Sequence, residues 1–392
     1  MQKSMPIAVI TPDQAEADLF TAVLSELGFK KFTVFTSAKE AFEVCVRQLF
    51  PMFIIRMEMP ELSGIVLIQK LRESGNYGLE VHLFVCNQLD SAVLNVLYEY
   101  DLNYVLSGEI RKNTIREKLQ YMFAQESALH PNELEYRSAR SAMYTNHLAM
   151  SEDILRKVLK SEPLLEKALV LMGDIYLRRA ESTNAMQMYR KALTINSSSV
   201  GAAHKIAAVY LMRGEYTQAA NALNDLVKLN PYNIKLLENA GLSNLGADRL
   251  DIAKSHMERL SGIDATNQTA SEVMVSIKIK QGDYAGMIDL LRRSHDEKSL
   301  IQFLNNAGVK LSKGHDPAGA LSMYKAAVEQ LGDEHKYAHA IYYNMGVAWR
   351  RLDNAPRAIQ LLKKALRLKS DFEKAQVLLE ELEKLEESGK AS

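Results

Sequence analysis

Residues 52–64 read Met52-Phe-Ile-Ile-Arg-Met-Glu-Met-Pro-Glu-Leu-Ser-Gly64. An uninterrupted apolar run, Met52–Ile55, meets a charge at Arg56 and then a loop punctuated by Met59, Pro60 and Gly64. A short apolar run bounded by turn signals suits a strand buried on both faces of a parallel sheet. Four more such runs surround it, at Ile7–Ile10, Phe32–Phe35, Val81–Cys86 and Tyr104–Leu106. Between and after them, residues 13–27, 37–49, 62–74, 88–98 and 110–125 place apolar side chains at helical spacing. Alternation of this kind predicts a doubly wound, flavodoxin-like α/β domain over residues 1–125, with its site at the C-terminal ends of the strands. Arg56 stands at one of those ends.

Across this whole segment the sequence resembles the receiver (CheY-like) domains of response regulators. In that family the strand equivalent to Met52–Ile55 ends in the aspartate that accepts the phosphoryl group, followed by the Met-Pro and Gly seen here as Met59, Pro60 and Gly64. Here Arg56 takes the acceptor's place, and a guanidinium has no nucleophilic oxygen and stays protonated. The resemblance further places Thr11 and Pro12 where the family's acidic metal-binding pair stands, with Asp13 just beyond. It puts Asn87 at the hydroxyl position after the fourth strand, and Ser107 and Gly108 at the lysine and proline after the fifth. A divalent cation needs several oxygen ligands; only Asp13 and Glu58 remain nearby. The resemblance therefore implies a degenerate pocket that is not phosphorylated by the family's route. Two readings of Arg56 stay open: a side chain that snorkels to solvent, or one paired with Asp13 or Glu58 that locks a single conformation. Tyr104 falls at the family's aromatic switch position, which implies a partner-binding face around the fourth helix, fifth strand and fifth helix.

From residue 132 the pattern changes to a repeat of about 34 residues. Gly173, Tyr176, Ala185, Tyr189 and Ala192 recur in phase as Ala207, Tyr210, Gly214, Ala219 and Pro231, then as Gly241 and Ala253, then, more worn, as Gly282 and Tyr284. Gly308, Ala320, Tyr324 and Ala327, and then Gly346, Trp349, Ala358 and Ala365, continue the register. This small/large alternation resembles tetratricopeptide (TPR) repeats. About seven helical pairs are expected over 132–372, beginning near 132, 166, 200, 234, 268, 301 and 339, with a capping helix and tail over 373–392. The resemblance implies an all-α superhelical solenoid whose groove binds peptides. Within it Asn239, Asn306 and Asn344 occupy an inner-surface position, where an amide can hydrogen-bond a backbone. Basic residues recur near the ends of the first helices at Arg178, Lys280, Lys313, Arg350 and Arg351. Together they point to an acidic partner segment; the competing reading is that basic residues simply favour helix C-termini. The connection over 126–131 is short and poor in Gly and Ser, so the two parts are expected to move as one body.

Composition narrows the function classes. Lys plus Arg and Asp plus Glu both number 48, which argues against an indiscriminate nucleic-acid binder. Cys45 and Cys86 have no Cys-x-x-Cys or Cys/His companion, so neither a disulfide framework nor a zinc site is expected, and a cytoplasmic location is. Glu334, His335 and His339 are expected to be solvated rather than metal-bound. No stretch has the length of a membrane span, and no recognisable catalytic motif or cofactor fingerprint is present. The expectation is a non-enzymatic, bacterial signalling scaffold with a protein partner in the repeat groove, another on the receiver-like face, no cofactor, and a homodimer as an open possibility. The alternative is a two-component response regulator controlled by an unusual modification or a small ligand at the old pocket.

Overall fold

The computed structural model describes residues 3–293, 296–314 and 316–390. The N-terminal elements alternate in the expected order: β1 (Ile7–Ile10), α1 (Gln14–Glu26), β2 (Phe32–Phe35), α2 (Ala38–Cys45), β3 (Met52–Arg56), α3 (Gly64–Glu73), β4 (Val81–Cys86), α4 (Ser91–Glu99), β5 (Tyr104–Ser107) and α5 (Lys112–Ser127). The five strands run parallel in the order β2-β1-β3-β4-β5, the doubly wound topology of flavodoxin and CheY. Val9 pairs with Ile54, and Ile54 with Leu83, so β3 sits in mid-sheet with both faces covered. One face carries Ile7, Val9, Ile54, Leu83 and Val85 against Phe20 and Leu24 of α1 and Ile115 and Leu119 of α5. Helix starts follow local chemistry, because Asp13, Ser37, Ser63 and Asp90 each accept a backbone N–H of the first turn through their side chains.

Helices then follow one another: α6 (Pro131–Tyr144), α7 (Leu148–Ser161), α8 (Glu166–Arg178), α9 (Ser182–Ile195), α10 (Val200–Met212), α11 (Tyr216–Leu229), α12 (Ile234–Gly246) and α13 (Leu250–Ile263). After these come α14 (Gln268–Lys280), α15 (Tyr284–Arg292), α16 (Glu297–Lys313), α17 (Pro317–Leu331), α18 (Ala338–Arg351), α19 (Ala355–Leu368) and α20 (Glu373–Lys390). The chain forms two compact units, divided between Ala270 and Ser271. The first holds the α/β domain together with α6–α13.

Small residues set the closeness of each helical pair. On α8, a Cβ at Gly173 would come within 2.7 Å of Cδ1 of Tyr189, which fills the groove from α9. Gly308 of α16 faces Tyr324 of α17 in the same way. Tyr189 is fully buried and donates its hydroxyl to Asp174 at 2.7 Å, so its polar tip is satisfied inside the stack. In the second unit Met287, Ile288, Leu304, Met323 and Tyr324 form one core. Leu362, Ala365, Leu378 and Leu382 form another, in which α20 covers α19.

Candidate functional site

At the C-terminal end of β3 the Arg56 side chain is largely buried and makes three contacts. Nη1 lies 3.0 Å from Oε2 of Glu16, Nε lies 3.0 Å from Oε2 of Glu58, and Nη2 donates to Oδ1 of Asn87. Asn87 in turn gives its backbone N–H to Oε1 of Glu58 at 2.8 Å, closing a ring of polar groups. Of the two expected partners, only Glu58 is used. Asp13 is spent as the N-cap of α1, accepting from the N–H of Ala15 at 2.8 Å, and Glu16 one turn further on takes its place. Thr11 is buried beside this ring while Pro12 is exposed. Ser107 is exposed at the end of β5, apart from this ring. Gly64 returns the loop so close to the strand that a Cβ would overlap the Arg56 carbonyl.

Glu16 is the strained member of the ring. Burial pushes its carboxyl above the usual range, and Arg56 opposes that rise only in part. Its Oε1 is buried without a hydrogen-bond partner. The guanidinium thus fills the space between the two carboxylates.

The expected partner face is not open along α4. Helix α4 packs on α10 and α11 of the same unit. Asn95 donates to the carbonyl of Leu229 at 2.8 Å, and Tyr98 donates to Glu166 at 2.9 Å. Glu99 accepts from Nδ2 of Asn230 at 2.5 Å and of Asn233 at 2.8 Å, with Nδ1 of His204 3.7 Å away. Asp101 accepts from Arg140 at 2.7 Å and from the Tyr136 hydroxyl at 2.9 Å. Burial would raise both carboxyls, but His204 and Asn233 on Glu99, and Arg140 and Lys167 on Asp101, hold them below the ordinary range. Tyr104 is buried and donates to Glu126 at 2.7 Å, and Glu126 is gripped by both terminal nitrogens of Arg137 on α6. Tyr104 is therefore tied to the first repeat helix.

The groove residues divide between the two units. Arg178 and Asn239 line one cavity of about 830 Å³ between the α/β domain and the first helices of the early pairs. Arg178 donates to the carbonyl of Met143 at 2.8 Å, and Asn239 reaches Nε2 of His204 at 3.1 Å. In the second unit Asn306, Lys280, Lys313 and Arg351 are exposed. Asn344 donates to Asn305 at 2.6 Å. Arg350 is committed to Glu381 of α20 at 2.7 Å, so it is not a free groove cation. His335 and His339 do not converge: His335 lies 3.5 Å from Glu297, and His339 packs edge-on against Phe372.

Family models described as Tetratricopeptide repeat match residues 166–199, 202–231 and 307–371. The helical part carries tetratricopeptide repeats. The TPR helices are similar to a solved tetratricopeptide repeat protein from Parabacteroides merdae, at 19% identity over 64% of this chain and 98% of that one, TM-score 0.40. They are also similar to YrrB, described as a TPR protein with an unusual peptide-binding site, at 18% identity over 57% of this chain and 96% of that one, TM-score 0.29. The α/β domain is similar to a CheY-like response regulator receiver domain protein from Methanospirillum hungatei, at 15% identity over 32% of this chain and 99% of that one, TM-score 0.28. No curated relative matches the chain. Among the described residues no helix is long and apolar enough to cross a membrane.

Sequence reasoning missed Glu16, Glu99, Asp101, Arg140, His204, Asn230 and Asn233. Asn230-Pro231-Tyr232-Asn233 carried a usable signal, since an asparagine one residue before a helix reads as an N-cap. Asn233 is that cap, accepting from Leu236 N–H at 3.0 Å. Its second role, toward Glu99, depends on how two domains dock and left no local trace.

Proposed function

We propose that this protein is a non-enzymatic signalling adaptor of bacterial two-component ancestry, working in the cytoplasm. Its receiver-like domain does not take a phosphoryl group, and its TPR helices bind a protein partner. The observation that carries the reading is Arg56, held by Glu16, Glu58 and Asn87 at the end of β3. A phosphoryl donor arriving there meets a protonated guanidinium instead of a carboxylate nucleophile. The bound guanidinium also stands in electrostatically for the cation that a phosphorylation site would recruit. The TPR helices support the binding half of the reading through the exposed Asn306, Lys313 and Arg351 of the second unit, which offer amide and cationic donors to an acidic segment.

Two measurements test it. Incubation with acetyl phosphate and magnesium, followed by intact-mass spectrometry, is expected to give no phosphoryl adduct; an adduct within residues 1–125 would overturn the phosphorylation-independent reading. Cross-linked capture from native cells is expected to place a protein partner on the TPR helices. Cross-links confined to other surfaces would remove the binding half.

A further inference from the structure

Glu99 is the last residue of α4, where a negative charge opposes the helix dipole. Asp101 follows in the left-handed region at φ 52°. Within the α/β domain, Arg72 of α3 favours Asp101 of this acidic corner through its charge, while the hydrogen bonds to the Glu99 carboxylate come from outside it. The TPR helices supply what it lacks. Asn230 and Asn233 are fully buried and His204 is nearly so, and all three aim polar atoms at the Glu99 carboxylate. Arg140 and Lys167 face Asp101 from α6 and α8. Buried amide and imidazole donors left without an acceptor cost more than the same positions filled by apolar groups. The set makes sense only with carboxylates in it.

The pocket also offers more than the corner uses. Oδ1 of Asn230 is buried without a hydrogen-bond partner. The 830 Å³ cavity continues from Glu99 past Lys205, Lys235 and Asn239, leaving room for a segment longer than the corner itself.

We propose that the first four TPR helix pairs form a binding site for an acidic turn that presents two carboxylates one residue apart, and that Glu99 and Asp101 fill this site in cis. A partner protein's acidic turn enters it when the α/β corner withdraws. The inference rests on the reading of the TPR helices as a protein-binding surface, and it adds the ligand's chemistry and its built-in competitor.

The test uses the full chain and a fluorescent peptide reproducing residues 91–105. The Glu99→Gln/Asp101→Asn chain is expected to bind the peptide at least ~10-fold more tightly than the wild-type chain, whose site is filled. A peptide with Gln and Asn at the same two positions is expected to bind the variant chain at least ~10-fold more weakly than the acidic one. Equal binding by the two chains, or of the two peptides, overturns the proposal. A chain with Asn95→Ala/Tyr98→Ala leaves both carboxylates in place and loosens only the polar contacts of α4. It is expected to gain about threefold in peptide affinity, and no gain overturns the proposal even if the first variant fails to fold. Partner capture in cells without peptide selectivity removes this inference and leaves the adaptor reading standing; loss of both removes both.

Discussion

Arg56 ties together the polar groups at the C-terminal end of β3. Its three nitrogens satisfy an amide and two carboxylates, of which Glu58 is open to solvent and Glu16 is largely buried, so removing it strands Glu16 rather than merely deleting a surface charge. Arg56→Ala is expected to cost about 1–3 kcal/mol at pH 7, the range for a buried charge left unpaired. The loss should shrink as pH falls. Glu16 already titrates above its ordinary value, and without the guanidinium it titrates higher still. A group whose folded pKa is raised is most compatible with the fold when protonated, below its unfolded value, and costs stability as pH rises through the folded one. Denaturant unfolding of both proteins at pH 7 and pH 5 reads this directly; an identical difference at the two pH values would uncouple Glu16 from Arg56. Cys45 and Cys86 belong to the same scale. Burial pushes their thiols up to about 12 and about 11, so native protein at pH 8 is expected to resist iodoacetamide that labels both after unfolding.

The helical pair is the unit in which the repeats could be read, because its deciding contacts lie within one hairpin. Gly173 and Tyr189 meet across α8 and α9, and Gly241 meets Met257 across α12 and α13. The two glycines look alike in sequence yet face different neighbours. A methyl at position 173 meets a fully buried aromatic ring anchored to Asp174, whereas at 241 it meets the end of a methionine that can swing aside. Gly173→Ala is therefore expected to lose about 1–3 kcal/mol through overpacking. Gly241→Ala is expected to stay within about 1 kcal/mol of wild type, since the helix-propensity gain offsets the adjustment. Thermal melts of both variants check the contrast, and equal losses would contradict it. The same locality explains what could be read and what could not. Strand runs such as Val81–Cys86 and small/large hairpin positions show their neighbours in the sequence, so the α/β-then-repeat architecture was legible. The Arg56 site was half legible: Glu58 lies two residues away, but Glu16 became the partner only because Asp13 was taken as a cap. The bond from Asn230 to Glu99 spans 131 residues and two domains, and no periodicity announces it.

Across the whole molecule, the buried ionic groups set a common direction for the response to acid. Glu80 is buried, which would raise its carboxyl, yet Arg72 at 2.9 Å, with His82 and Arg140 near, holds it down to about 2. His82 is stacked on Phe53 at 5.4 Å, and burial pulls its imidazole down to about 3. Glu99 and Asp101, at the junction with the TPR helices, are likewise depressed. For each carboxylate the folded state binds its proton less readily than the unfolded chain. Its contribution is complete above the unfolded pKa, 4.5 for Glu80 and Glu99 and 3.8 for Asp101, and is lost as pH falls through the folded one. For His82 the unfolded chain takes up a proton at about pH 6.5 that the fold refuses down to about 3, so stability already falls across that window. His256, lowered chiefly by burial, adds to the same slope, and Glu16 opposes it at lower pH. Between pH 6 and 5 the unfolding free energy is thus expected to decline by up to about 1.4 kcal/mol per pH unit for each such proton. His82→Gln keeps a polar, uncharged group beside Glu80 and should flatten most of this decline while leaving the steeper carboxylate-driven loss below pH 4.5. Denaturant titrations of the two proteins at half-unit steps from pH 7 to 3.5 measure it. A variant slope equal to wild type between pH 6 and 5 would move the acid response from the α/β core to the TPR histidines.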